Sequence, residues 1–294
     1  FTNVNVRVLH FRFRSGNGGI PVVFANSLGT DFRIWDDVIA RLQEGTSTLQ
    51  YDKSGHGLSE KGAVTIFDHA ADLSTLMDSL GLTRALVCGV SVGGMIAMAL
   101  SAARPDLTAG LLLSNTGHKI GTSEMWADRI SAVNELGLDA MADGVLERWF
   151  SSNFRQKETV QIAGYRMMLS RTPVHGYASV CAAIRDADLA SEAASISCRT
   201  VCLAGSEDKA TTPEVVAALA DKITGAIYHV IDGVGHIPAI EAPDTVARLI
   251  SEQMALLASH QSLTIPGLAA SFLTQIFKRS GRPKFRSCIT VSSK

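Results

Sequence analysis

Gly89-Val90-Ser91-Val92-Gly93 sits between two runs of opposite habit. Before it, Ala85-Leu86-Val87-Cys88 is apolar and strand-like; after it, Gly94-Met95-Ile96-Ala97-Met98-Ala99-Leu100 is a small-residue run of helical character. Strand, tight turn and helix form the setting in which Gly-x-Ser-x-Gly becomes a nucleophile elbow, with the serine hydroxyl exposed on a strained turn. The flanking glycines are required because a β-carbon at either place would collide with a neighbouring strand or helix. At ordinary glycine usage the pattern arises by chance in about one chain in ten of this length. The strand–helix setting therefore carries most of the weight.

A serine hydroxyl needs a base to take its proton and a carboxylate to orient that base. On an elbow of this kind the partners follow in the order serine, acid, histidine. Thr200-Val201-Cys202-Leu203-Ala204 reads as a buried strand and runs into Gly205-Ser206-Glu207-Asp208. Asp208 is the candidate acid, with Glu207 as the alternative; a capping or solvated carboxylate is the plainer use of Asp208. Of eight histidines, His236 lies in the loose loop Asp232-Gly233-Val234-Gly235-His236, after the last predicted strand. His10 and His229 fall in strand patterns, His56, His69 and His118 precede the acid, His175 lies in a helical region, and His260 lies near the end. The triad expected is Ser91, Asp208 and His236. Backbone N–H groups must meet the developing alkoxide, one from the residue after the nucleophile and one from the loop after an earlier strand. Those positions are Val92 and Leu28, the latter in Asn26-Ser27-Leu28-Gly29-Thr30. A dinucleotide-binding turn is excluded, because Ser91 replaces the second glycine and no acidic residue ends the next strand.

Outward from the elbow, Pro21–Ala25, Ser47–Tyr51 and Leu111–Leu113 repeat the short buried-strand pattern, with helix-like stretches at Trp35–Leu42 and Phe67–Leu80. Val4–Phe13 alternates like a strand or hairpin. Alternating strands and helices imply an α/β fold with a mostly parallel sheet. From about 117 to 189 the strands vanish and helix follows helix, then strands return at 200–204 and 226–231. The division expected is a core of residues 1–118 and 190–258, a helical lid over 119–189, and a basic extension over 259–294. After Glu252 there is no acidic residue and there are six Lys or Arg. This extension reads as floppy or non-native rather than as a nucleic-acid-binding arm.

The 294 residues carry a formal net charge of −1, 46% hydrophobic and 19% charged residues. That balance excludes disorder and gives no reason to expect nucleic acid or a membrane surface as partner. No apolar run reaches the ~18 residues of a membrane helix. Phe1-Thr2-Asn3-Val4 has neither a charged nor an apolar leader segment and lacks Met, so no signal peptide is read there and the start is taken as trimmed or incomplete. Five cysteines without a CxxC pair indicate no zinc site or disulfide framework and favour a reducing, cytoplasmic setting. No cofactor and no metal are expected.

The chain resembles the bacterial 3-oxoadipate (β-ketoadipate) enol-lactone hydrolases of the α/β-hydrolase superfamily over about residues 4 to 257. The resemblance rests on Asn26–Asp31, Tyr51-Asp52 with Gly55-His56-Gly57-Leu58-Ser59, and Ser91 with its glycines. In the lid it rests on Asn115-Thr116, Ile120-Gly121, Trp126 with Arg129-Ile130, Arg148-Trp149-Phe150, Thr172-Pro173, Gly176-Tyr177-Ala178 and Cys181–Leu189. One departure is Ser54, where the family pattern carries arginine. The resemblance implies an α/β-hydrolase fold with helices on both sheet faces and an inserted lid. It also implies hydrolysis of a small anionic lactone, 3-oxoadipate enol-lactone, to 3-oxoadipate in aromatic-compound catabolism. The substrate's carboxylate calls for a cation or N–H donor, and Trp126 and Arg129 are the lid candidates. Against this stand Trp126 as lid core and Arg129 as a solvated cation. The alternatives are a generic carboxylesterase or haloperoxidase-like hydrolase and, from another class, a catalytically dead fold used for binding.

Overall fold

Runs of four to seven residues that are apolar throughout have no polar face to give to solvent, so they pair side by side under helices. In the computed structural model, which describes residues 1–263, these runs form the middle of the sheet. The basic extension expected over 259–294 lies, from residue 264 on, outside the described residues. Strands β1 (Thr2–Val4) and β2 (Arg7–Leu9) make an antiparallel hairpin. Seven more strands make one sheet: β3 (Phe11–Arg14), β4 (Val22–Ala25), β5 (Thr48–Tyr51), β6 (Ala85–Val90), β7 (Thr108–Ser114), β8 (Arg199–Gly205) and β9 (Ile227–Ile231). Their order is β3-β5-β4-β6-β7-β8-β9. Only β3 runs antiparallel, with Phe11 opposite Tyr51. β4, β5, β6 and β7 are buried along their whole length, whereas β9 at the edge is half exposed.

After β4 the chain steps outward to β5 and then returns to β6 on the other side of β4. Such a reversal leaves a crevice beyond the carboxyl ends of the two strands, where ligands of open α/β sheets bind. Ala25 pairs with Gly89 at that point, so the loop after β4 and the turn after β6 emerge side by side.

The helices of the first part are α1 (Asp36–Ile39), α2 (Ile66–Ser79) and α3 (Val92–Ala103). Thr65 and Asp68 close a reciprocal capping box at the start of α2, which satisfies two otherwise orphaned N–H groups. α3 is buried from Val92 through Ser101; its alanines and glycines let it lie close on the sheet. The helix expected over 35–42 is shorter: a 3₁₀ turn (Phe32–Trp35), capped by the Asp31 side chain, leads into the single turn of α1. Burial of Ile34, Trp35, Val38 and Ile39 uses up the apolar face before the chain turns toward β5.

Between β7 and β8 lie α4 (Ser123–Trp149), α5 (Ser152–Lys157), α6 (Thr159–Ser170), α7 (Val174–Asp186) and α8 (Ala190–Ser195). α4 packs on both α6 and α7, while α8 packs on α3. α4 breaks at Gly137, which takes φ 76° and ψ 166°. Phe150 centres an aromatic cluster with Trp149, Phe154 and Tyr165, at ring separations of 6.2, 5.2 and 5.4 Å. α9 (Pro213–Lys222), α10 (Pro238–Glu241) and α11 (Pro243–Leu263) complete the described chain. No described helix is long and apolar enough to cross a membrane.

Candidate active site

Ser91 caps β6 with φ 58° and ψ −121°, a combination that side-chain-bearing residues seldom adopt and that persists only where surroundings enforce it. The enforcement is visible. The Ser91 N–H donates to Ser114 O at 3.0 Å, and the Thr116 hydroxyl donates to Ser91 O at 2.7 Å. A β-carbon on Gly89 would lie 2.3 Å from Gly93 O, and one on Gly93 would lie 2.2 Å from Ala25 O. Both glycines are thus demanded by close backbone approach, as the pentapeptide implies. Ser91 is 7% exposed.

Asp208 and His236 come from the loops after β8 and β9. His236 Nδ1 lies 2.8 Å from Asp208 Oδ2, with His236 3% and Asp208 4% exposed. Burial pushes the Asp208 carboxyl up. The opposing pull of His236, with hydrogen bonds from Asn115 and Thr211, leaves it below the ordinary carboxylate range. Its Oδ1 accepts from the N–H groups of Ala210 (2.7 Å) and Thr211 (3.0 Å). Its Oδ2 also accepts from Thr211 Oγ1 (2.7 Å) and Asn115 Nδ2 (2.9 Å). A carboxylate so held stays ionised and fixed, as a group that orients an imidazole must. Glu207, the alternative acid, instead accepts from the Ser152 N–H at 3.2 Å on the surface.

The loop after β4 is packed against the elbow, and its Leu28 is buried. Among the described residues the Leu28 N–H has no protein acceptor, whereas Gly29 N donates to His56 Nε2 at 2.9 Å. Val92 opens α3, so its N–H is one of the first-turn donors that a helix leaves unpaired. Both N–H groups belong to the loop and the turn that leave the adjacent ends of β4 and β6.

The insertion supplies the other wall. Leu169, Tyr177 and Trp149 close over Gly29 and leave no room there for a β-carbon. The His236 N–H donates to Trp149 O at 2.7 Å, which ties the end of α4 to the histidine loop. Trp126 is buried and its indole N–H donates to Ile120 O at 2.6 Å, so that donor is committed within the insertion. The Arg129 guanidinium stacks on the Trp126 ring at 5.3 Å and lies beside the Tyr177 hydroxyl, whose pKa burial raises to about 12. Arg148 is partly buried next to Arg129; burial and that second cation hold its pKa below the usual guanidinium range. Neither arginine forms an ion pair with a described carboxylate.

Three contributors escaped the motif search. Asn115, in a left-handed backbone conformation with φ 48°, reaches both Asp208 and Gly235 O, the latter at 3.2 Å. Glu241 accepts from Gly235 N at 3.0 Å and from Ser151 N, bracing the histidine loop from behind. Arg148 joins Arg129. Asn115 and Arg148 stand in the stretches that carry the family resemblance, but nothing local marks their contacts, which span up to 120 residues. Glu241 has no such signal. Among the described residues no cluster of His, Cys, Asp or Glu could hold a metal ion.

Residues 22–249 match the model of the alpha/beta hydrolase family. A 3-oxoadipate enol-lactonase of Acinetobacter baylyi is 31% identical over 251 residues, 85% of this chain and 94% of that protein. The crystal structure of an enol-lactonase from Burkholderia xenovorans superimposes with a TM-score of 0.81 at 37% identity, covering 85% of this chain and 97% of the other. A thermophilic esterase from Thermogutta terrifontis follows at 0.80 and 26%, covering 85% and 94%. With this agreement of sequence and structure along most of its length, the chain belongs to the α/β-hydrolase family and within it is similar to the 3-oxoadipate enol-lactonases.

Proposed function

We propose that the chain hydrolyses 3-oxoadipate enol-lactone to 3-oxoadipate, with Ser91, His236 and Asp208 as catalytic triad, within bacterial aromatic-compound breakdown. The observation that carries the proposal is the buried Asp208–His236 pair at 2.8 Å, set on the loops after β8 and β9 at the same carboxyl edge of the sheet as the strained elbow serine. Ser91 Oγ attacks the lactone carbonyl as His236 Nε2 accepts its proton. Asp208 stabilises the imidazolium that forms. The tetrahedral oxyanion is met by the N–H groups of Leu28 and Val92. Collapse breaks the ring C–O bond, and the leaving enolate takes the proton back from the His236 imidazolium and ketonises, leaving a ketone tethered in the acyl-enzyme and His236 neutral. Water deprotonated by His236 then attacks the acyl carbon, and Ser91 leaves as the hydroxyl.

An enol-lactone that carries a carboxylate needs a cation at some distance from its reacting carbonyl. Arg129 and Arg148 supply one on the insertion, unspent on any described carboxylate and adjoining Tyr177, which itself packs on the Leu28–Gly29 loop. Trp126 contributes the face on which Arg129 rests rather than a hydrogen-bond donor. The helical insertion then acts as the lid that sets substrate choice. A general ester hydrolase is the second reading, favoured by the likeness to the Thermogutta esterase. Turnover of the purified protein on the enol-lactone and on p-nitrophenyl acetate separates the two. The expected result is a kcat/KM for the lactone at least about 100-fold higher, and rapid ester cleavage with no lactone turnover overturns the assignment. Labelling by a fluorophosphonate that disappears in Ser91→Ala tests the nucleophile itself.

A further inference from the structure

Lys53 follows β5 and is 1% exposed, yet it forms no ion pair with a described carboxylate. Its ammonium donates instead to two carbonyls of a single loop, Ser27 O at 2.5 Å and Asn26 O at 3.4 Å. A buried ammonium is costly: burial brings Lys53 down to about 7, with Asp52 and Asp31 pulling weakly the other way. A methionine would fill the same space without that penalty. The cation therefore needs a reason.

The reason lies in the peptide that it grips. Ser27 O also accepts from the Thr30 hydroxyl at 2.9 Å and from Thr30 N at 3.4 Å, so three donors converge on one oxygen. The Ser27–Leu28 peptide is trans, like every peptide bond described. Its N–H, on Leu28, thus points away from the Ser27 oxygen in the same plane. Fixing the oxygen fixes the direction of the N–H. Drawing electron density toward the oxygen also makes that N–H a stronger donor, because hydrogen bonds on the two ends of an amide reinforce each other. The next peptide is pinned separately, by Gly29 N on His56 Nε2 at 2.9 Å. Of the loop's N–H groups between these anchors, that of Leu28 is left for a ligand.

We infer that Lys53 is a positioning residue for the oxyanion hole, aiming and polarising the Leu28 N–H through the Ser27 carbonyl. This rests on the hydrolase reading above and adds a role for a side chain that meets neither substrate nor triad. Because Lys53 acts only on the charge that develops at the carbonyl oxygen, its loss affects the transition state and spares ground-state binding.

Lys53→Met and Lys53→Gln test this, the first removing donor and charge, the second keeping a neutral donor. Removing an oxyanion donor outright costs roughly 10²–10³ in kcat, so weakening one in Lys53→Met is expected to lower kcat about 10- to 100-fold. KM stays within about threefold, and Lys53→Gln falls between Met and wild type. Affinity for a trifluoromethyl ketone, which forms a tetrahedral oxyanion on the serine, falls by the same factor as kcat, whereas affinity for the carboxylate product does not change. Lys53→Met, folded by circular dichroism, with a kcat within threefold of wild type overturns the role and leaves hydrolysis standing. So does a fall in kcat without a matching loss of ketone affinity. A wild-type protein that turns over neither lactone nor ester overturns both this role and the reading beneath it.

Discussion

Beside Ser91 the acid loop spends its polar groups fully: Asp208 accepts five hydrogen bonds from Ala210, Thr211, Asn115 and His236. Across the insertion, Arg129 and Arg148 lie close together, and neither forms an ion pair with a described carboxylate. The first arrangement spends its polar groups on holding a geometry, and the second keeps charge in reserve. A reaction common to many esters needs the same attack geometry every time, so its apparatus is fixed by backbone and buried bonds. Recognition of one anion needs unspent cations, and these sit on elements that can vary without disturbing the sheet.

That contrast can be broken from the core side first. Ser91→Ala is expected to lower kcat at least about 10⁴-fold with Tm near wild type; a residual rate above one-hundredth of wild type would remove the elbow from the chemistry. Asp208→Asn follows, with roughly 10⁴-fold lower kcat at unchanged fold, since an amide favours the wrong imidazole tautomer. Equal losses on lactone and neutral ester are expected for both.

On the insertion side the losses should depend on substrate. Arg148→Met is expected to raise KM for the anionic lactone roughly 10- to 100-fold, the worth of about 1.5–3 kcal/mol for a charged hydrogen bond, and to leave p-nitrophenyl acetate within about threefold. An equal loss on both would move Arg148 from recognition to scaffolding. Trp126→Phe, which keeps the ring under Arg129 but drops the bond to Ile120, should change KM for the lactone less than about fivefold.

The smallest effect concerns pH. Burial lowers His69 to about 3 and His56 well below its ordinary value. Between about 3 and the unfolded value of 6.5 the unfolded chain binds more protons, so stability falls as pH drops through that window. Tm is expected to fall by roughly 5 °C from pH 7 to pH 5, and His69→Phe should flatten that slope.

The elbow, the acid and the histidine were legible because each follows a local rule: glycines where backbones touch, a carboxylate just past a strand, a histidine in a loose loop. The mostly parallel sheet followed from the alternation of short apolar runs with helices, whereas its strand order did not. Asn115, Glu241 and Lys53 were not legible, since their meaning lies in contacts 26 to 120 residues away along a path that composition does not reveal. The Trp126 donor role failed for a similar reason: the sequence shows an indole N–H but not the Ile120 carbonyl waiting for it.

Gly137 divides α4 into a stretch that carries Trp126 and Arg129 and another that carries Arg148 and Trp149. Its φ of 76° and ψ of 166° are open to glycine almost alone, and a β-carbon there would touch nothing within 4 Å. The bend between the two halves thus requires glycine's backbone freedom at one residue, while the halves themselves are held by packing on α6 and α7. For the history of such a protein this is an economical pivot: a single exchange there is expected to re-angle the proposed recognition surface, while Ser91, Asp208 and His236, on other elements, keep their places.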